Sequence, residues 1–140
     1  MFDPSTCPRH CAVERATDAD IATLRRLHED LSVLIRSGKP MVASRENIIC
    51  HKRIYEIARN PEAEQILEGR TRVVRTVADS LGGFGPEMYD AVIGEHETMI
   101  RAFEARDPTA AGQAVFVHVT AARDHLLARI AEEGGFSPRP

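Results

Sequence analysis

The chain has 140 residues, 43% of them hydrophobic, and a formal net charge of −3, which fits one domain with enough apolar material for a core. The acidic balance and the absence of tryptophan argue against a chain that binds DNA or RNA by itself, because phosphate binding needs clustered Lys and Arg. No apolar run reaches transmembrane length, no basic stretch followed by an apolar core marks a signal peptide, and three cysteines do not make a disulfide framework, so the simplest location is cytoplasmic.

Residues 1–16, MFDPSTCPRHCAVERA, carry two prolines and no steady period. They read as an irregular, disordered lead with a short helical turn near its end. Cys7, His10 and Cys11 form at most a metal half-site, since zinc takes about four ligands and no second Cys/His pair lies nearby. A helix then starts at Thr17, which can cap, with Asp20 where a capping box needs an acid. It carries Ile21, Leu24, Leu27, Leu31, Leu34 and Ile35 inward and ends at Ser37-Gly38-Lys39-Pro40. His28 lies at the edge of this stripe and reads as a boundary residue, not a ligand.

A second helix is predicted over about 41–59, because the residue before Pro61 is pushed out of the helical region. A third runs over about 61–81 with Ile66, Leu67, Val73, Val74 and Val77 inward, and Gly69 weakens it. Arg70 falls on or near that inward face, although Arg70, Arg72 and Arg75 together also read as mostly a solvated face. A guanidinium pointing inward beside a cation site suits a carboxylate ligand, which makes Arg70 the candidate ligand-binding residue. Gly82-Gly83-Phe84-Gly85-Pro86 lacks the Lys-Ser/Thr and the strand context of a phosphate loop and reads as a plain connection. A fourth helix follows over about 86–106. Asp107 as N-cap and Pro108 at the first helical position open a fifth, which runs to about 133. No stretch alternates with period two for long enough to be a strand. The fold class is therefore all-α, an antiparallel bundle of five to six helices. Its domain spans 17–133, between the lead at 1–16 and a tail at 134–140.

Three of these helices place a histidine inside an apolar stripe. His51 sits among Ile48, Ile54, Tyr55 and Ala58. His96 sits among Tyr89, Val92, Ile93, Ile100 and Phe103. His118 sits among Ala111, Ala114, Val115, Ala122 and Leu126. One histidine on an apolar face is usually a satisfied core residue. Three at the midpoints of three helices are harder to satisfy, since a buried polar group needs a partner and neutral imidazoles serve one another poorly. A divalent metal satisfies all three, imidazole being a good ligand for Zn, Ni, Cu or Fe. Asn47, one turn before His51 on the same face, can bring its amide oxygen to the same point. On the pattern alone, a metal centre and three separate core histidines stand equally open.

The chain resembles the FCD domain, the C-terminal effector-binding domain of FadR-type GntR transcription regulators. The resemblance is carried by ERATDADIATLRRL, by N-x3-H followed by IARNP, by EHETMIRAFEARD and by A-x3-V-x2-HV. It covers about residues 12–128, with His96 and His118 22 positions apart as in that family's helix pair. It implies a divalent transition metal, most readily Zn or Ni, held in the bundle by Asp and three His. Those positions are Asn47, His51, His96 and His118 here. An amide oxygen is a weaker ligand than a carboxylate and offsets none of the metal charge. The implied site therefore binds metal less tightly or takes its missing anion from the effector. Cys50 stands where the family usually has an aromatic, and a buried Cys is a small hydrophobe.

The resemblance further implies a small organic acid as effector, a homodimer, no enzymatic activity and no membrane partner. DNA is reached only through a winged helix-turn-helix, which this chain lacks. The family's first helix looks lost or scrambled in FDPSTCPRHC. Two other classes remain open. One is a metal-dependent enzyme, since three His plus an open position is also what a catalytic zinc uses. Against it stands the lack of an obvious general base. Glu95 and Glu97 flank His96 but point roughly 100° away on a helix, and Asp124 is more than a turn from His118. The other is a metal-free structural or dimerisation domain.

Overall fold

The computed structural model describes residues 8–81 and 86–134. Among them are six α-helices and no strand. They are α1 (Pro8–Arg15), α2 (Asp18–Arg36), α3 (Pro40–Ala58), α4 (Pro61–Ser80), α5 (Tyr89–Glu104) and α6 (Pro108–Glu132), with a 3-10 turn at Pro86–Met88 ahead of α5. The all-α bundle read from the periodicity is the observed class. None of these helices is long and apolar enough to cross a membrane.

Local chemistry sets the helix ends. The Thr17 hydroxyl accepts from the Asp20 backbone N–H at 3.1 Å, and an Asp20 carboxylate oxygen accepts from the Thr17 N–H at 2.9 Å, which completes the capping box at the start of α2. Gly38 beyond α2 has φ +71°, a left-handed conformation that costs glycine little. Asp107 caps α6 by accepting from the Ala110 N–H at 2.9 Å, and Pro108 sits in the first turn, where its missing N–H costs nothing.

α2 packs between α3 and α5, α5 packs on α6, and α1 lies against α3 and α6. The main core joins Leu24 of α2, Ile54 of α3, Met99, Ile100 and Phe103 of α5, and Ala111 and Val115 of α6. A smaller cluster of Leu31, Ile35 and Ala43 closes the other end of the bundle, with Leu34, Tyr89, Val92 and Ile93 against it.

Two expectations are corrected. The lead is not irregular throughout 1–16. α1 is helical, and Ala12 and Val13 are buried at 0% and 1% exposure within the main core. Three small apolar residues, Ala12, Val13 and Ala16, carry that burial, too few to produce a visible period. The Cys7, His10 and Cys11 half-site falls on side chains outside the described ones, as do the loop at 82–85 and residues 135–140. The inward set of α4 is also different. Ile66, Val73 and Val74 are exposed, Leu67 and Val77 are half-buried, and Ala78 is buried. α4 packs mainly on α3, so one narrow strip of it faces protein and the rest of its apolar stripe faces outward.

Candidate metal centre

α3, α5 and α6 each present one imidazole to a common point. On α3, His51 follows the fully buried Cys50 and precedes Ile54 by one turn. On α5, His96 lies one turn before Met99 and Ile100, both fully buried. On α6, His118 lies one turn after Ala114 and Val115. Because these apolar neighbours must face the core, the histidines face it too. His96 is fully buried, and His51 and His118 are each 8% exposed.

The ring nitrogens of His51, His96 and His118 lie within 4.8 Å of one another. His51 stacks on His118 with ring centres 5.2 Å apart, and His96 stands edge-on to both at 5.1 and 4.7 Å. His96 Nε2 and His118 Nε2 are 3.4 Å apart. Two imidazole nitrogens bound at ~2.1 Å to one tetrahedral ion stand ~3.4 Å apart, so this pair already has ligand spacing. Asn47 lies one turn before His51. Its Oδ1 is buried and has no hydrogen-bond partner, a condition that costs about 1–3 kcal/mol unless something else takes the oxygen. Three imidazoles at this spacing fit a divalent transition metal.

The family model of the FCD domain matches residues 9–121. The chain belongs to the FCD family. The match takes in Asn47, His51, His96 and His118, and it begins inside α1, so the short first helix is part of the FCD domain and not a lead ahead of it. FCD domains are the ligand-sensing, effector-binding domains of GntR-family regulators. No curated protein and no solved structure matches the chain.

Around the triad, this FCD domain holds groups that periodicity did not reveal. Glu95 Oε2 lies 2.6 Å from His118 Nδ1. Glu95 does point away from the side of α5 that carries His96, but in doing so it reaches α6. Glu97 accepts from Arg25 at 2.6 Å and from Arg101 at 2.8 Å, and these guanidinium bonds hold its carboxyl down at about 2. His28 is not a boundary residue. It is buried at 3% exposure, with its Nε2 3.1 Å from Glu97 and its ring centre 6.1 Å from that of His96. Burial pushes its imidazole below the ordinary histidine value. A single-helix pattern sees only the edge of a stripe there. The burial comes from α5 closing over α2.

A cavity of about 290 Å³ opens beside His51 between α3 and α4, with Lys52, Tyr55, Glu68, Thr71, Arg72 and Arg75 in its lining. Arg70, the sequence candidate for ligand binding, is exposed and does not line it. Arg72 and Arg75 line it instead. One strip of α4 faces the bundle, and its rotation about its own axis decides which arginine is inward.

Proposed function

We propose that this FCD domain is a cytoplasmic effector sensor in which His51, His96 and His118, with Asn47 beside them, hold a divalent transition metal, Zn or Ni. Its effector is a small organic acid. The observation that carries the reading is the spacing of the triad: three ring nitrogens within 4.8 Å, two of them 3.4 Å apart. Imidazole suits both metals. When bound, the ion supplies a Lewis-acidic, positively charged point. None of the four ligands is an anion, so that charge stays uncompensated within the ligand set and favours a carboxylate over a neutral ligand. Arg72 and Arg75 line the cavity beside His51, where Lys52 is paired with Glu68 and Arg75 with Asp79, and the arginines can orient a carboxylate by paired N–H donation.

In a complete regulator the domain acts as a homodimer, and a winged helix-turn-helix outside these helices contacts DNA. Val73 of α4 and Phe116, Val117 and Val119 of α6 offer apolar surface to a second copy. Effector binding shifts the bundle by no more than its differential affinity for the two states allows.

Elemental analysis of the untagged protein beside His96→Ala tests the metal. Near one equivalent is expected in the wild type and none in the variant. No metal in the wild type, even after soaking with Zn or Ni, sinks the reading. Thermal shift then tests the effector class. An acid at 100 times its Kd stabilises by about 2.7 kcal/mol, a rise of roughly 8–10 °C for a domain of this size.

A further inference from the structure

Glu95 stands one residue before His96, so on α5 it points about 100° away from the triad. Its side chain crosses instead to α6 and meets His118 from behind, Oε2 to Nδ1, at 2.6 Å. Both side chains are largely buried there, at 16% and 9% exposure. Glu97, two residues on, is engaged by Arg25, Arg101 and His28 and faces α2, so the two glutamates flanking His96 serve different neighbours.

The bond has a chemical consequence. With Glu95 as a carboxylate, which has no hydrogen to give, this contact needs the proton on His118 Nδ1. A neutral imidazole protonated at Nδ1 carries a bare lone pair at Nε2. That Nε2 is the atom 3.4 Å from His96 Nε2. The contact therefore fixes both the tautomer and the ring plane in which His118 offers its ligand atom. The bond is also short, as expected when the acceptor is charged, and it places one negative charge a single imidazole away from a ligand set that has none.

We infer that Glu95 is a positioning residue of the metal centre. It locks His118 in the Nδ1–H tautomer, aims Nε2 at the point shared with His51 and His96, and supplies from the outer sphere the anion that Asn47 does not. This inference rests on the metal reading above. Outer partners of metal-bound histidines commonly matter by roughly 10–100-fold in metal affinity.

The experiment uses the full chain with Zn²⁺ alone as probe. Long-range ¹H–¹⁵N spectra of the metal-free protein report the tautomer of His118, and chelator competition gives the zinc Kd. In the wild type, His118 is protonated at Nδ1. In Glu95→Ala that preference is lost and zinc binds about 10–100-fold more weakly. In Glu95→Gln the amide oxygen still accepts, so the tautomer is kept, yet zinc weakens at least fivefold because the charge is gone. Should the Ala variant lose its helical circular dichroism, the isosteric Gln variant carries the test. An Nε2–H tautomer in the wild type overturns the assignment, and so does a Gln variant that binds zinc within threefold of the wild type. No zinc uptake by the wild type overturns the metal reading and this assignment together. Zinc uptake indifferent to residue 95 overturns this assignment alone.

Discussion

Asn47 brings an amide oxygen, not a carboxylate, to the turn before His51, and that oxygen is buried without a hydrogen-bond partner. Asn47→Asp adds an anion of nearly the same shape, and ligand charge is a main determinant of affinity for a divalent ion. Zinc is expected to bind at least about tenfold more tightly in the variant. Thermal stabilisation by an organic acid should shrink, because the centre then carries less uncompensated positive charge. Chelator competition and thermal shift read the two effects, and unchanged zinc affinity would place Asn47 outside the coordination. That His51, His96 and His118 meet was legible in the sequence, because a histidine at the centre of an apolar stripe conflicts with its surroundings, and three such conflicts ask for a common partner. Glu95 was not legible. Its contact depends on how α5 and α6 pair, and the period of either helix alone carries no information about that. Which arginine of α4 lines the cavity was not legible for a related reason: packing on α3 selects the strip of α4 that faces inward.

At the scale of the elements, α2 shows most plainly how local sequence fixes structure. Its stripe put Ile21, Leu24, Leu31 and Ile35 in the core, and Thr17 with Asp20 fixed its start. Asp20 also accepts from Arg53 at 2.6 Å, so the cap of α2 is tied to α3. Thr17→Ala should cost about 1 kcal/mol of stability, as lost caps do. The Asp20 carboxyl is held below its ordinary 3.8, chiefly by the Thr17 backbone N–H and hydroxyl, with Arg53 adding to them. A carboxyl whose folded value is depressed contributes stability that is complete above its unfolded value and lost as the pH falls through the folded one. Denaturant unfolding from pH 5 to pH 2 should therefore show a smaller loss of stability for Asp20→Asn than for the wild type. Equal slopes would mean that the cap does not persist in solution. α1 escaped the reading because its burial rests on Ala12, Val13 and Ala16. Arg15 donating to the Ala58 carbonyl and Arg106 donating to the Ala16 carbonyl hold its end, and both contacts join residues far apart in the chain.

At the scale of the whole molecule, an apolar core and the histidine triad share one bundle. The main core of Leu24, Ile54, Met99, Ile100 and Phe103, with Ala12, Val13 and Ala111, joins α1, α2, α3, α5 and α6 by apolar burial, and Arg53–Asp20 and Arg25–Glu97 add polar ties between the helices. On the metal reading proposed above, a bound ion would link α3, α5 and α6 a second time through the triad. A ligand that binds the folded state and not the unfolded one stabilises by mass action, so removal of metal should lower the melting temperature without abolishing the fold. With zinc at about 1,000 times its Kd the gain is roughly 4 kcal/mol, which corresponds to a shift of about 10–15 °C for a chain of this length. Chelation should reverse that shift, while far-UV circular dichroism at 25 °C stays helical and near-UV bands of Tyr55 and Tyr89 change little. Phe103→Ala should behave in the opposite way. It lowers the melting temperature to a similar degree, since truncating a buried Phe costs about 3–5 kcal/mol, but it leaves zinc stoichiometry at one. If chelation instead unfolds the chain at 25 °C, the apolar core does not sustain the fold without the ion. If chelation changes nothing in a zinc-loaded protein, the ion sits elsewhere than among the three helices.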